Sequence, residues 1–539
     1  MAVAGGQQSV TKPLYNRLPK TDHRPQIPMS LFSAADRDFV AAVSQLSYCN
    51  PFLPERIELE SAALGDAFDH TAPVWSRRLE SPGQRANIQR LSRRAGEVAD
   101  AVRSALTDGV TATAGELREY EDLICYLLYY RHWRNLDDPA EADSELRVPD
   151  WPPFLAGFNH YLSLPGVELP TGHDPGHLFA CFYQIRRAFH YIFDFLLGGS
   201  LPAAQLRASV WQSIFTHNMR RYRRTLFQRM ADITTLVMGP SGSGKEVVAK
   251  AIGASRYIPF DVAAEKFTVD CEKLFYALNL SALAPTVIES ELFGHCRGAF
   301  TGAVSDRVGW LEACDALGTV FLDEIGELDA GIQVKLLRML QTRTFQRLGE
   351  TQDRKFAGKI VAATNRDLSE EMRAGRFRED FYYRLCSDMI TTPSLYEQII
   401  ESSEDLRNLV SFISARESGD EAEEVTAEVM DWIEGNLGPD YRWPGNIREL
   451  EQCVRNVMVR KQYRPPRADQ PREVGGLPQQ LAAAMREGKL TADELVRYYC
   501  TLVYAETGSY EATAKRLNLD RRTVKSKVDE QLLAKLGMK

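Results

Sequence analysis

Residues Gly239, Pro240, Ser241, Gly242, Ser243, Gly244 and Lys245 follow a short β-rich apolar run, Thr234 to Met238, and precede the helical pattern EVVAKAIG. Strand, glycine-rich turn, lysine and helix in this register are the context a phosphate-binding loop requires. The glycines let successive backbone N–H groups turn toward one anion. The helix start adds partial positive charge, and Lys245 reaches the terminal phosphates of a nucleotide. From this point strands and helices alternate to about residue 400, which predicts an α/β domain. The residue after the lysine is Glu246, where the general motif has Ser or Thr for magnesium. Metal ligation therefore leans on another group.

That group is expected in GTVFLDE, Gly318 to Glu324, where an apolar run ends in two acids. In a nucleotide hydrolase of this design Asp323 holds Mg2+, often through water, and Glu324 polarises the attacking water. A second strand, Lys359 to Ala363, ends in Thr364 and Asn365, which places an amide at the same sheet edge to orient that water. The other reading of Asn365 is a simple turn residue. GRFREDFYYRL carries Arg376, Arg378 and Arg384 just beyond the sheet, and a guanidinium supplied to the γ-phosphate stabilises charge during phosphoryl transfer. In WPGNIREL, Asn446 reads as a helix N-cap with Glu449 three residues later, and Arg448 falls in the first turn. A cation there opposes the helix dipole, which favours a functional role over a stabilising one.

A chain of 539 residues holds about three or four domains at roughly 150 residues each. Its composition, 44% hydrophobic and 26% charged, is that of a globular protein rather than a disordered one. The formal charge of −8 argues against a protein that coats nucleic acid along its whole length. Nine scattered cysteines without a C-x-x-C pair point to reduced thiols in a cytoplasmic setting. No signal peptide is read at the start, and the most apolar stretch, Leu178 to Leu197, holds too many polar residues for a membrane span.

The expected order is a leader at 1–30, a mostly helical N-terminal sensory or regulatory domain at 31–205, an ATPase core at 206–400, a helical lid at 401–465, a Pro-rich linker at 466–489 and a small helical module at 490–539. Leu178, Phe182, Ile185, Phe189, Ile192 and Leu196 form one helical stripe, and a further helix is expected over Leu117 to Trp133. Gly198 and Gly199 end the first of these, with Ser200 as cap of the next. The Arg220 to Arg224 cluster reads as a helix supporting a ring interface or, alternatively, as a DNA contact. His173 and His177 lack the spacing and companions of a metal site.

The run ESELFGHCRGAFTGA, Glu289 to Ala303, together with the P-loop, GTVFLDEIGEL, FREDFYYRL and WPGNIREL in this order, closely resembles the bacterial enhancer-binding proteins, AAA+ activators of sigma-54 RNA polymerase. The resemblance covers about residues 220–465 and, more weakly, the last 35 or so. Gly298, Ala299, Gly302 and Ala303 give a mobile loop of little bulk, and Phe300 and Thr301 supply one apolar anchor and one hydroxyl. The alternative for Phe300 is a buried turn. The resemblance implies that this loop touches the sigma factor, that Lys245 binds ATP phosphate, and that Asp323 and Glu324 serve Mg2+ and water. It makes Asn365 the first sensor, Arg378 and Arg384 candidate arginine fingers acting on a neighbouring subunit of a hexameric ring, and Arg448 the second sensor. Asn279 matches the asparagine that restrains the catalytic glutamate. Glu246 is usual in this family's P-loop. The chain departs from the family in a longer segment, SRYIPFDVAAEKFTVDCEKLF, and in SLYEQIIESSEDL where an LRER-like segment is usual.

From Gly508 onward there are eight basic residues against four acidic ones, a reversal of the overall sign. Ala512, Ala514 and Leu517 are expected to pack one helix, Asn518 to take a left-handed turn and Asp520 to cap a second helix carrying Arg521, Arg522, Thr523, Lys525, Ser526 and Lys527. This resembles the Fis-type helix-turn-helix, whose second helix enters the major groove; a bare hairpin with a solvated basic face is the other reading. The sequence as a whole thus reads as a sigma-54-dependent activator with ATP and Mg2+ as cofactors and with sigma-54 polymerase, enhancer DNA and copies of itself as partners. Its rivals are an AAA+ regulator that binds DNA independently of sigma-54 and a passive DNA-binding repressor with a decayed ATPase.

Overall fold

A computed structural model describes residues 30–70, 82–132, 150–270, 274–400, 403–438, 441–465 and 491–529. The expected leader, apart from Ser30, and the expected linker lie outside these residues. Two compact units are formed, one up to Val454 and one from Arg455.

The first unit begins with helices Ala34–Leu46, Glu55–Leu64, Pro82–Thr107, Ala114–His132 and Trp151–Leu162. Their starts are local in origin. Ser33 caps the first by accepting from the Asp36 N–H, and Thr113 and Glu116 close a reciprocal capping pair at the fourth. Leu91, Tyr120, Ile124, Leu128 and Phe154 are buried together in one core. That core also takes Phe260 and Phe267 from the longer segment after the P-loop helix. The segment forms a two-stranded antiparallel hairpin, Phe260–Asp261 against Lys266–Phe267. The Phe260 ring sits 4.7 Å from Trp151 and 4.9 Å from Phe179, while Phe267 sits 4.4 Å from Tyr183. The extra residues are thus a plug that fastens the α/β core to the N-terminal helices.

Helix Pro175–Phe195 joins two cores. Asp174 caps it, with proline in its first turn. Leu178, Phe179 and Phe182 belong to the N-terminal core. Ala188, Phe189, Ile192 and Leu196 pack instead with helix Leu201–Phe215 against Val237, Phe321, Val361, Ala363 and Ile390 of the α/β sheet. The six-residue stripe is mostly buried as expected, but the opposite face is buried too, including Gln184 and Arg187. The expected boundary at residues 205/206 falls inside a helix that covers the sheet. Ser200 stands at the N-cap position of that helix but makes no side-chain cap. The cap is Asp405, far along the chain: it accepts from the Gly199 N–H and, at 2.7 Å, from the Ser200 N–H.

Arg220 and Arg223 reach back to the N-terminal helices, while Arg221 and Arg224 are exposed without a partner among the described residues that would decide between the two readings of that cluster. Arg220 pairs with Asp122 and Arg223 donates to Cys125 and Tyr48.

Five parallel strands form the sheet of the α/β domain in the spatial order Phe275–Asn279, Thr319–Asp323, Lys359–Thr364, Thr235–Met238, Asp388–Thr391. Both faces are covered, so the central strands are almost wholly apolar. Helices Ser403–Ser418 and Ala422–Asn436 follow, with Asn446–Arg460 closing the lid.

In the second unit, helices Ala492–Thr507, Tyr510–Leu517 and Arg521–Lys527 pack around Cys500, Val503, Ala514 and Val524. Asn518 is left-handed at φ 51° and Asp520 caps the last helix through the Arg522 N–H. Ala512 departs from its expected place: it is exposed, and Thr513 is buried in its stead, sharing a hydrogen bond with Thr507. The eight described cysteines are free. Among the described residues no helix is long and apolar enough to cross a membrane.

Candidate nucleotide site and contact loop

Parallel strands put their carboxyl ends along one edge, and the register brings the motif residues there together. Met238 pairs with Thr364 on one side and Thr391 on the other, and Asn279 pairs with Asp323. The P-loop, the acid pair, Asn365 and Thr392 thus share the edge at which open α/β sheets bind ligands.

Lys245, at the start of its helix, is buried, and its Nζ donates to the carbonyls of Gly239 and Pro240, each at 3.1 Å. Burial pulls its pKa down; Glu324 and Asp323 oppose that shift and Arg448 adds to it. All three charges are therefore near the ammonium. Ser243 Oγ donates to Pro240 O at 2.7 Å and is 2.6 Å from the Thr392 hydroxyl, a brace from the last strand that the sequence did not reveal. Glu246 is exposed on the first turn.

Gly242 at φ 75° is in the left-handed region, and a Cβ there would stand 2.3 Å from the Gly445 carbonyl. That close approach is where the lid meets the P-loop. Asn446 Nδ2 donates to Ser241 O at 2.9 Å, Asn446 Oδ1 accepts from the Leu395 N–H at 2.8 Å, and the Ile447 N–H donates to Gly242 O at 3.0 Å. Asn446 is not the N-cap that the sequence suggested. At φ 53° it is a left-handed bridging residue, and Glu449 closes on the Gly445 N–H instead. Arg448 Nη1 lies 3.5 Å from Ser241 Oγ.

Glu324 takes a left-handed conformation, φ 56° and ψ 49°, uncommon for a non-glycine residue. Its N–H donates to Asp323 Oδ1 at 3.0 Å, and its Oε2 accepts from the Asn365 N–H at 3.3 Å. The Asn365 side chain is exposed at the same edge. Asn279 Oδ1 accepts from the N–H and hydroxyl of Ser281, so its hydrogen bonds run along its own chain. Asp323 and Glu324 supply the hard oxygen donors that Mg2+ prefers.

Arg378 stands at the N-cap position and Arg384 in the last turn of helix Glu379–Leu385. Arg378 forks onto Asp380, and Arg384 donates to the Leu340 carbonyl. Both are exposed.

The segment Gly298–Ala303 is a tight loop closed by Gly298 N–H to Ala303 O at 2.9 Å and Ala303 N–H to Phe300 O at 3.0 Å. Gly298 and Gly302 are at φ 82° and 102°. Phe300 is 44% exposed with its ring edge-on to His295, which excludes the buried-turn reading. The stem is anchored by ion pairs Glu291–Arg307 and Glu289–Lys335. Lys335 belongs to helix Ala330–Thr342, which follows the acid pair by one short turn.

In the second unit Arg521, Arg522, Thr523, Lys525 and Ser526 are exposed, whereas Lys527 is held by Asp493.

Residues 214–391 match the Sigma-54 interaction domain and residues 401–488 the AAA+ ATPase lid domain. The lid match runs past the boundary expected at 465. Regulatory protein LuxO of Vibrio cholerae is 42% identical over 223 residues, 41% of this chain and 45% of that protein. The Nif-specific regulatory protein of Azotobacter vinelandii is 42% identical over 226 residues, 42% of this chain and 40% of its own length. The chain thus spans about half the length of the curated relatives it matches. A crystal structure of NtrX from Brucella abortus in complex with ATP aligns with a TM-score of 0.37 at 21% identity, over 80% of this chain and 96% of that one.

Proposed function

We propose, for a chain that belongs to the sigma-54-dependent activators by its ATPase and lid domains, that it hydrolyses ATP in a cytoplasmic ring of six copies and uses the cycle to remodel promoter-bound sigma-54 RNA polymerase. Its C-terminal helices would hold it on enhancer DNA. The observation that carries this reading is that one unit combines the phosphate-and-carboxylate edge with an exposed, glycine-flanked Phe300–Thr301 tip.

In this reading the P-loop amides from Gly239 to Gly244 and the Lys245 ammonium cradle the phosphates. Asp323 would hold Mg2+, which supplies charge neutralisation on the phosphate oxygens. Glu324 orients and deprotonates the attacking water while its backbone neighbour Asn365 offers an amide to the same water. Arg448, beside Ser241, reads the nucleotide from the lid. Arg378 and Arg384 face outward and would serve a neighbouring subunit's γ-phosphate, each giving up its present partner to do so.

Transmission follows the covalent and ionic connections. From Asn279 the chain runs through Leu280–Ala282 and helix Pro285–Phe293 to the loop, and Glu289–Lys335 ties that stem to the helix after the acid pair. A shift at the acid pair is thereby delivered to Phe300 and Thr301. In the C-terminal unit, Arg521, Arg522 and Lys525 would meet phosphates and base edges, with Thr523 and Ser526 beside them; Lys527 would first release Asp493.

The test is Thr301→Ala: ATP turnover is expected to stay within about twofold while promoter opening by sigma-54 holoenzyme is lost. Opening at the parental level would remove the loop from this role.

A further inference from the structure

Between the N-terminal helices and those that cover the ATPase sheet lies a cavity of about 100 Å³. A cavity of ~150 Å³ holds one benzene ring, so this one, at about two thirds of that volume, takes a body of only a few heavy atoms. Its walls are mostly apolar and aromatic, among them Tyr126, Phe182, Phe189, Trp211 and Phe215.

Two polar features of the wall are unbalanced. Arg223 brings a guanidinium whose hydrogen bonds, among the described residues, reach only neutral groups, Cys125 Sγ at 3.0 Å and the Tyr48 hydroxyl at 2.9 Å. Burial pushes the Cys125 and Cys181 thiols up, Cys181 to about 12, so they remain uncharged. Of the carboxylates around it, Asp122 is occupied by Ser44, Tyr48 and Arg220, and Glu121, whose charge reaches Arg223, accepts from the N–H and hydroxyl of Thr171. A buried cation without an anion in contact is costly, and an entering anion relieves that cost. The second feature is Trp211, 2% exposed, whose indole N–H has no hydrogen-bond acceptor among the described residues.

The same wall is connected to the P-loop helix. Gln184, a cavity residue, donates to the Ser255 carbonyl at 2.9 Å. Three residues along the same helix, Arg187 donates to Ala254 O at 3.2 Å and Arg256 O at 2.6 Å. Ala254 is the last residue of the helix that begins at Lys245. Phe189, Trp211 and Phe215 also pack in one core with the sheet strands that carry the P-loop and the acid pair.

We propose that this cavity is the receptor site for a short-chain carboxylic acid, its carboxylate on Arg223 and its few carbons among the aromatic walls, and that occupancy is passed to the P-loop helix through Gln184 and Arg187. Binding stands on the cavity alone; its transmission to hydrolysis rests on the ATPase reading above.

The test uses the full chain with trifluoroacetate as probe and trifluoroethanol as the neutral control, both followed by fluorine NMR. Expected is saturable binding of the acid, tighter than the alcohol by on the order of tenfold or more, as a charge-assisted contact requires. Arg223→Gln should erase that preference. Should Arg223→Gln fail to fold, Cys181→Met fills the cavity without touching the charge, and is expected to weaken both probes by about tenfold or more. Absence of saturable acid binding, a preference for the alcohol, or affinity unchanged in Cys181→Met overturns the site. Bound acid that leaves ATP turnover unchanged overturns the transmission, whereas a chain that binds the acid but hydrolyses no ATP overturns the nucleotide reading and leaves the site standing.

Discussion

Asn446 donates its side-chain amide to the Ser241 carbonyl at 2.9 Å and with its oxygen accepts from the Leu395 N–H, so one residue of the lid holds both the phosphate loop and the first strand-to-lid turn. It does so from a left-handed backbone that Asn tolerates better than most residues. Asn446→Leu leaves the buried Leu395 N–H without an acceptor, which costs roughly 1–3 kcal/mol. Urea unfolding should show that loss, and ATP affinity should fall with it. Full stability together with full affinity would mean that the bridge is incidental.

Asp405 performs a cap for a helix some two hundred residues away in sequence. It also stands near Arg207, whose guanidinium donates to the carbonyls of Leu196 and Gly198. Burial pulls the Arg207 pKa down to about 10, and Asp405 is the charge that opposes the shift. Asp405→Ala removes a cap and leaves a buried cation without its counter-charge, so a loss of roughly 2–5 kcal/mol is expected from thermal or urea unfolding. Asp405→Asn, which keeps an acceptor, should lose less. Equal effects of the two would assign the stabilisation to something other than cap and charge.

Lys359 begins a central strand with its ammonium buried, donating to the Ile233 carbonyl at 2.7 Å. Burial pulls its pKa from 10.5 to about 7, with Asp388 opposing. The folded pKa lies below the unfolded one, so between them the unfolded chain binds more protons and stability rises with pH. The penalty is complete below about pH 7 and is relieved toward the unfolded value. The urea midpoint of the parent should therefore rise between about pH 7 and about pH 9 relative to Lys359→Met. Parallel profiles would show that the ammonium is not perturbed.

Glu324→Gln keeps the shape of the left-handed turn and removes the charge that would activate water. Expected is retained ATP binding with turnover reduced on the order of 100-fold or more, the scale of a general base. Filter binding and single-turnover hydrolysis measure the two separately. Brisk turnover would take the role from Glu324.

The phosphate loop, the acid pair and the Phe300–Thr301 tip were legible because each is a short run whose chemistry is local in sequence. The left-handed turn at Asn518 and the Asp520 cap were legible for the same reason. What escaped depends on pairing between distant segments. The Leu178–Leu196 stripe announced one buried face, yet the helix sits between two cores and its polar residues Gln184 and Arg187 are buried as well. Phe260 and Phe267 looked like an unexplained extension because nothing near them names Trp151 and Phe179 as their neighbours. The arginine run reads as an interface or DNA contact, and only the fold gives Arg220 its partner Asp122 and Arg223 its partners Cys125 and Tyr48. Asn446 had the composition of a cap; its role was decided by Ser241 and Leu395.

The central claim, that ATP turnover in this chain is spent on sigma-54 polymerase, is met most directly by permanganate footprinting of a sigma-54 promoter with the purified full chain. Strand opening should appear with sigma-54 holoenzyme and ATP, and should be absent with a non-hydrolysable analogue or with holoenzyme carrying a different sigma factor. Vigorous ATP hydrolysis with no opening of the sigma-54 promoter would contradict it.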